Sequence, residues 1–495
     1  MGPRLRISFV ASEMSPLAKT GGLADVVGSL PKELEKLGHK VSVFIPYYRE
    51  VKQVSKIPTQ VVRTAMPVHL GQGMTQEVNV LQATLPKSKV PVYLIENSKA
   101  FDRDHLYGTM DGDYADNGER FILFSRAVIQ WMREMKEEID IIHCHDWQTA
   151  LIPVYIKRVY SGESVFARTS TIFTIHNMAY QGLFPKEVMQ RTGLGWELFT
   201  PEQFEFWGKV NFLKAGIVYA DRVTTVSPTY AKEVLTPGFG LGMDGIMRTR
   251  EKDLIGLLNG VDYDEWDPAS DPHLPATYTK KVMTGKAACK AALKEEFGLH
   301  SPEGKRVMLI GAVSRLAEQK GFEIVSAALS RLGKRPIQFV MLGSGDRKIH
   351  EMMEEAARKH PHSIGIKLKF DNALAHRIYA GSDAFIIPSR FEPCGLGQMI
   401  AMKYGTVPIA HATGGLIDTI KPIEKKNKQG TGFLFKEMTQ ENLLKCIDEA
   451  LELYDNEAAW KKLTADIQSE DFSWQASAKR YEALYAEEKG KKARK

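Results

Sequence analysis

An α/β fold built from two parallel sheets, one in each half of the chain, is predicted by three features of the sequence. Its 495 residues exceed what one ordinary hydrophobic core holds and suit two domains of roughly 200–250 residues each. The first fifty residues read as strand, loop, helix, strand. The same alternation of short apolar strands and helical segments restarts after Lys305.

The elements follow in order. Leu5–Val10 is apolar and β-prone, Ser12–Gly22 is loop-like, and Lys40–Ile45 is a second strand. Between them Leu23, Val26, Val27, Leu30, Leu34 and Leu37 recur with helical period, and Gly38 is placed to stop that helix. Strands at Ile139–His143, Ser170–Ile175 and Arg222–Val226, each ending in a polar or glycine-containing segment, imply one parallel sheet. Arg306–Ala312, Ile337–Leu342, Ser363–Lys367, Ala384–Ile387 and Val407–Ala410 imply a second, with helical stretches such as Gly321–Leu332 and Ile349–Lys359 between them. Turn chemistry at Asn259-Gly260-Val261-Asp262, Asp267-Pro268 and Asp271-Pro272 places the change-over near Leu254, giving domains 1–254 and 255–472. Ligands of open α/β sheets bind beyond the carboxyl ends of the strands, so two such domains are expected to turn their loops into one cleft.

Composition narrows the class. Hydrophobic residues at 43% and charged residues at 25% suit a folded enzyme and argue against extended disorder. The net charge of +6, from 66 basic and 60 acidic side chains, demands no nucleic-acid partner. The basic run Lys489–Lys495 reads as a solvated tail. Cys144, Cys289, Cys394 and Cys446 show no metal-type spacing, and the N-terminus lacks the apolar core of a secretion signal, so a reducing cytoplasm is expected. No apolar run approaches the ~20 residues that cross a bilayer, so no membrane partner is expected.

The chemistry-bearing residues fall on loops after strands. In Glu13–Gly22 the adjacent Gly21-Gly22 lets backbone approach a ligand, a helix N-terminus favours an anion, and Lys19 adds a cation; a structural strand-to-helix loop reads the same way. Glu392, in Ser389-Arg390-Phe391-Glu392-Pro393-Cys394-Gly395-Leu396-Gly397-Gln398, sits close to the start of an apolar helix running to about Tyr404. It either caps that helix or holds sugar hydroxyls beside the free amides of Cys394 and Gly395. Arg315 and Lys320, five residues apart after a strand, can converge on phosphate oxygens or form surface ion pairs. His143-Cys144-His145-Asp146-Trp147 and Thr174-Ile175-His176-Asn177 end strands of the first sheet; lacking third and fourth ligands, they suit a polar sugar site with an aromatic floor better than zinc. Asp102/Asp104, Asp111/Asp113 and Asp262/Asp264 are Asp-x-Asp pairs, but no metal is assigned, because Arg315 and Lys320 can neutralise a leaving group. Gly343-Ser344-Gly345 lacks the spacing of a serine-hydrolase elbow.

Lys19-Thr20-Gly21-Gly22-Leu23 and Glu392-Pro393-Cys394-Gly395-Leu396, taken with Thr174–Gly182, Asn211–Gly216, Thr225–Tyr230, Leu258–Asp262 and Thr413–Leu416, resemble the bacterial glycogen and starch synthase family over nearly the whole chain. The resemblance implies the GT-B architecture, two Rossmann-like domains with parallel sheets facing a central cleft. It puts acceptor glucan on 1–254 and donor on 255–472, with 473–495 holding a helix, Gln475–Glu487, that crosses back before the basic tail. It also implies a retaining transfer of glucose from ADP-glucose, or UDP-glucose, to the nonreducing-end 4-hydroxyl of an α-1,4-glucan such as glycogen, with no cofactor.

Carried over position by position, Arg315 and Lys320 bind the diphosphate and stabilise the departing nucleotide. Glu392 orients the glucosyl ring with Cys394 and Gly395 beside it. His176 offers its backbone carbonyl near the anomeric carbon. Lys19 and Gly22 reach the phosphates, with Asp25 near the sugar; Asn177 and Asn259 hold sugar or phosphate groups; Phe370 lies near the base; Asp146 and Tyr114 serve the acceptor. Ile400 stands where many related enzymes have a second Glu, which favours a front-face path over a two-carboxylate scheme. Two departures, Gly397 for a common threonine and His411 for a common arginine, bear on donor affinity. The rival readings are a GT-B enzyme with another donor or acceptor, a glucan phosphorylase, which would need pyridoxal phosphate on a lysine, and a non-catalytic glucan-binding relative.

Overall fold

The computed structural model describes residues 4–54, 57–109, 112–302, 304–332, 335–424 and 429–493. They form two compact units. The first runs to Leu258 and includes the end of the chain from Trp474; the second is Asn259–Ser473.

The first unit is organised on nine strands: β1 (Arg6–Val10), β2 (Lys40–Pro46), β3 (Gln60–His69), β4 (Thr75–Thr84), β5 (Pro91–Glu96), β6 (Ile141–His145), β7 (Ser170–Ile175), β8 (Arg222–Thr225) and β9 (Leu254–Gly256). Their order is β9-β8-β7-β6-β1-β2-β5-β4-β3. The central strands are apolar on both faces, with Ile7, Phe9, Val43, Ile142 and Phe173 buried, as strands covered on both sides must be. The expected all-parallel sheet is corrected at its edge: β4 runs antiparallel to β5, and β3 antiparallel to β4. These strands alternate polar and apolar residues, and β3 is exposed along much of its length, so they lack the continuous apolar run that marks a central strand.

Other boundaries move. β6 starts and ends two residues later than expected, because Arg6 N donates to Asp140 Oδ2 at 2.8 Å and pairing with β1 begins at Ile7–Ile141. The expected change-over at Leu254 falls on the first residue of β9, which pairs with β8, and the units divide after Leu258. A separate three-stranded antiparallel sheet, Leu183–Pro185, Lys209–Asn211 and Glu205–Phe206, follows β7.

In the second unit β10 (Met308–Leu316), β11 (Ile337–Gly345), β12 (Ile364–Lys367), β13 (Ala384–Ile387), β14 (Val407–His411) and β15 (Phe433–Phe435) run parallel in the order β12-β11-β10-β13-β14-β15. Met308, Ile310, Phe339, Met341, Ile386 and Ile409 pack against Val325, Leu329, Leu443 and Ile447 of the covering helices. Strand order reverses between β10 and β13, and in open α/β sheets ligands bind beyond the carboxyl ends of the strands at such a point.

The last helix, Trp474–Ala493, folds with the first unit. Its Tyr485 hydroxyl lies 2.8 Å from His143 Nδ1, and its Glu487 and Glu488 pair with Arg222 at 2.6 and 2.7 Å. It continues past the expected end at Glu487, and the basic run is not a free tail: Lys489 pairs with Asp140, Lys491 with Glu487 at 2.7 Å and Lys492 with Asp221 at 3.4 Å. Arg494, Lys495 and Asp111 lie outside the described residues. Among those described, no helix is long and apolar enough to cross a membrane.

Candidate active site

In the second unit the loops after β10 and β13 meet at the switch point. Buried Glu392 receives two hydrogen bonds on Oε2, from Lys320 Nζ at 2.7 Å and from Ser389 Oγ at 2.7 Å. The loops are stapled by backbone: Arg390 N donates to Gln319 O at 2.8 Å, and Gln319 Nε2 to Phe391 O at 3.1 Å. Gly321 makes this approach possible. Its φ is +67°, and a Cβ there would lie 2.1 Å from the Pro388 carbonyl oxygen.

Glu392 does not cap a helix. The helix begins at Gly397, and the carboxylate is turned to Ser389 and Lys320, which removes the capping alternative. Gly395, at φ +72°, bends the chain past Glu392, and among the described residues the amides of Cys394 and Gly395 donate to no protein acceptor. Gln398 Nε2 holds the carbonyls of Cys394 at 3.0 Å and Gly395 at 2.9 Å, which fixes the Cys394–Gly395 peptide and with it the open amide of Gly395. Burial pushes the Cys394 thiol up to about 12, which keeps it protonated and inert; its sulfur accepts from the Asn259 backbone amide. Asn259 Oδ1 is buried with no donor among the described residues.

Arg315 is corrected onto the strand, because β10 stays paired with β11 through Leu316–Gly345; its exposed guanidinium has no carboxylate partner among the described residues. Phe370 is 89% exposed on the loop after edge strand β12. The two departures have local reasons. A Cβ on Gly397 would stand 3.3 Å from both the Phe385 ring and the Tyr379 hydroxyl, which form a stacked pair. His411 Nδ1 lies 2.7 Å from Ser389 O and its Nε2 3.2 Å from Lys436 O, tying the end of β14 to the residue that holds Glu392.

In the first unit the carboxyl ends of β1, β6 and β7 carry the other candidates. Glu13, which the sequence did not single out, organises the β1 loop: it accepts from Thr20 N and Oγ1 at 2.6 Å each, Gly21 N at 3.1 Å and the Tyr107 hydroxyl at 2.7 Å. Lys19 Nζ lies on Asp25 Oδ1 at 2.6 Å, half exposed. A Cβ on Gly22 meets nothing within 4 Å, so the folded chain itself does not require glycine there.

Asp146, at φ +54°, accepts from the His176 amide at 2.7 Å and from the Asn177 amide. Burial raises its carboxyl to about 7 and lowers His176 to about 3. His176 Nε2 lies 3.0 Å from His145 Nδ1, a neutral pair in which one ring donates to the other. Asn177 closes a turn by accepting from Ala179 N at 3.0 Å. Trp147 floors this end, with Phe121 and Phe184 edge-on to it, and Gly182 is needed because a Cβ would lie 2.7 Å from the indole. Tyr114 is half buried beneath the guanidinium groups of Arg103 and Arg120, at 4.8 and 5.2 Å. Two of the Asp-x-Asp pairs are engaged within the fold: Asp102 and Asp104 both pair with Arg49, and Asp262 accepts from Asp264 N at 3.0 Å. Among the described residues no three His, Cys, Asp or Glu are grouped to hold a metal ion.

The structure thus gathers Glu392, Lys320, Cys394, Gly395 and Asn259 in one unit, and Asp146, His176 and Asn177, with Lys19 on Asp25, in the other. Besides Glu13, sequence reasoning missed Ser389, which it quoted without a role, and Gln398. Only their spacing from Glu392 pointed to them.

Residues 6–249 match the starch synthase catalytic domain family and residues 294–465 match glycosyl transferases group 1. A glycogen synthase of Geotalea daltonii is 46% identical over 494 residues, covering 99% of this chain and 100% of that one. A glycogen synthase of Koribacter versatilis is 46% identical over 490 residues, 99% of each chain. The catalytic domain of starch synthase IV from Arabidopsis thaliana, solved with ADP and acarbose, superposes at a TM-score of 0.89 with 36% identity, over 99% of this chain and 100% of that one. Sucrose-phosphate synthase from Thermosynechococcus elongatus, at a TM-score of 0.60 and 18% identity over 98% and 99% of the two chains, shares the fold alone.

Two Rossmann-like units with this chemistry at their strand ends define a GT-B glycosyltransferase. Within that class the chain belongs to the glycogen synthase and starch synthase family, whose members are retaining glucosyltransferases using a nucleotide sugar and an α-glucan.

Proposed function

We propose that the nucleotide sugar is ADP-glucose, held by Asn259–Ser473, and that the first unit takes the nonreducing end of an α-1,4-glucan. The observation that carries this is the Glu392 carboxylate, buried and fixed by Lys320 and Ser389 at the switch point of a parallel sheet, where such folds bind nucleotides. In this reading Glu392 and the open amides of Cys394 and Gly395 hold glucosyl hydroxyls. Arg315 and Lys320 take the diphosphate, Asn259 a sugar or phosphate group, and Phe370 the base. Lys19 and Gly22 approach the phosphates with Asp25 by the sugar. The His176 carbonyl and Asn177 serve the anomeric centre, and Asp146 and Tyr114 the acceptor.

The bond from C1 to the phosphate oxygen breaks, the bond from C1 to the acceptor O4 forms on the same face, and the hydroxyl proton passes to the leaving diphosphate. Positioning and cationic stabilisation of that leaving group supply the rate. All four thiols are free and buried, which supports a reducing cytoplasmic setting.

The test is elongation of glycogen with ADP-glucose or UDP-glucose in parallel, reading released diphosphate and chain growth. Faster growth with ADP-glucose is expected. Growth with UDP-glucose alone would reassign the donor, and none with either would sink the reading.

A further inference from the structure

One turn of the first unit is built against its own conformational preference. The strands Glu205–Phe206 and Lys209–Asn211 are joined by the two residues Trp207 and Gly208, both in the left-handed region at φ +49° and +78°. A hairpin loop of this kind favours asparagine before glycine, and a bulky side chain at the first position is strained. Burial does not offset that strain, because Trp207 is 81% exposed. A strained and solvent-facing tryptophan gains nothing for the fold, and such outliers point towards function.

The surroundings form a platform. Trp207 lies against Phe206 with ring centroids 4.5 Å apart, and a Cβ on Gly242 would be 3.0 Å from both rings, so bare backbone supports them. Glu205 accepts from Gly208 N at 2.7 Å and fixes the turn. Next to Gly242, exposed Leu241 also has positive φ, at +50°, and its carbonyl accepts from Gln181 Nε2 at 3.1 Å, beside exposed Tyr180. Leu183 shares the face of the small sheet that carries Phe206. Exposed Tyr180, Leu183, Leu241 and Trp207, with Phe206, thus lie on the small sheet and the turns beside it, and Tyr180 and Leu183 follow His176 and Asn177 directly in the chain.

We propose that this surface, anchored by Trp207, is a holding site for the body of an α-1,4-glucan chain whose end is being extended; the assignment rests on the proposed acceptor. The chemistry fits a sugar polymer. Each pyranose presents an apolar C–H face that stacks on an indole or phenol while its hydroxyls stay in water, and an exposed ring fixed by backbone strain is pre-organised for that contact. A holding site lets a long acceptor rebind after each transfer without changing the chemical step.

The test compares the parent with Trp207→Asn, which relieves the turn and is expected to keep or raise the melting temperature, and with Trp207→Phe, which keeps an aromatic ring. Glycogen binding is measured without donor by retardation in glycogen-containing native gels, and KM is measured for glycogen and for maltotriose. Trp207→Asn is expected to weaken glycogen retardation and raise the glycogen KM at least ~5-fold, with kcat and the maltotriose KM unchanged; Trp207→Phe stays within ~2-fold of the parent. Unchanged glycogen binding in Trp207→Asn overturns the proposal, as does a shift in sedimentation from dimer to monomer with glucan binding intact, which would make the surface a contact with a second copy. Glycogen binding by a parent that transfers no glucose would refute the proposed acceptor reaction and leave the holding site standing.

Discussion

Glu392 shows how much rests on one side chain. Its carboxylate is buried, and both strong contacts fall on Oε2, one of them from an ammonium. Losing one partner of such a pair costs more than losing both, because the survivor is left charged and desolvated. Lys320→Met is therefore expected to destabilise the second unit by about 2–4 kcal/mol, whereas Lys320→Met with Glu392→Gln recovers at least half of that, as denaturant midpoints will read. Equal losses in the single and double variants would mean that the pair is too well solvated to couple. Activity responds more strongly than stability: Glu392→Gln alone leaves Lys320 unpaired and is expected to lower the melting temperature, yet to lower kcat about 10²-fold or more in protein that is still folded, since a preorganised contact in a dry site contributes a few kcal/mol to the transition state. The motif around Glu392 was legible from sequence. Its geometry was not, since Lys320 lies 72 positions away in the chain and nothing local announces the pairing.

At the scale of elements, glycines separate what the fold needs from what a ligand needs. Gly321 is required by the fold, with positive φ and the Pro388 carbonyl oxygen 2.1 Å from where a Cβ would stand, so Gly321→Ala is expected to cost about 3 kcal/mol or more and to splay the loops of Lys320 and Glu392. Gly22 opens the helix Gly22–Lys36 with free space around it. Gly22→Ala is expected to leave the melting temperature unchanged or slightly higher, since alanine is the better helix former, while the donor KM rises about 10-fold. A normal KM in that variant would return Gly22 to a structural role. The β1–helix–β2 unit was readable because its two periodicities are strong and adjacent. The β3–β4 hairpin was not, because polar alternation in edge strands resembles loop sequence until a neighbouring strand pairs with it. Likewise β10 gained its last residues, Arg315 among them, from pairing with β11 and not from propensity.

Across the whole molecule, the buried polar line of the first unit couples stability to pH. His143 Nε2 lies 2.6 Å from Thr174 Oγ1, which is 2.6 Å from Thr224 Oγ1, and Tyr485 of the last helix closes the other end; none of this could be read before the sheet order and the return of the helix were known. Burial lowers His143 and His176 to about 3 and His145 well below its ordinary value, so all three stay neutral in the fold. Their folded values lie below the unfolded value near 6.5, so their contribution is full above pH ~6.5 and is lost as pH falls towards the folded values. Asp146 has the opposite sign. Its folded value of about 7 exceeds the unfolded one near 4, so its contribution is complete below pH ~4 and fades as pH rises to 7. Between pH 7 and 4 three histidines therefore pull stability down on acidification while one carboxyl opposes them, and the net is loss. Asp146→Asn keeps the acceptor for the His176 amide and tolerates φ +54°, yet removes the opposing proton. The first unit of that variant is expected to lose stability on acidification more steeply than the parent, by about 1.4 kcal/mol per pH unit between pH 7 and 4. Hydrogen exchange of β6 and β7 amides at several urea concentrations and pH values measures this for the first unit separately from the second. Equal slopes in parent and variant would mean that Asp146 ionises as an ordinary carboxylate and that the end of β6 is wetter than its burial implies.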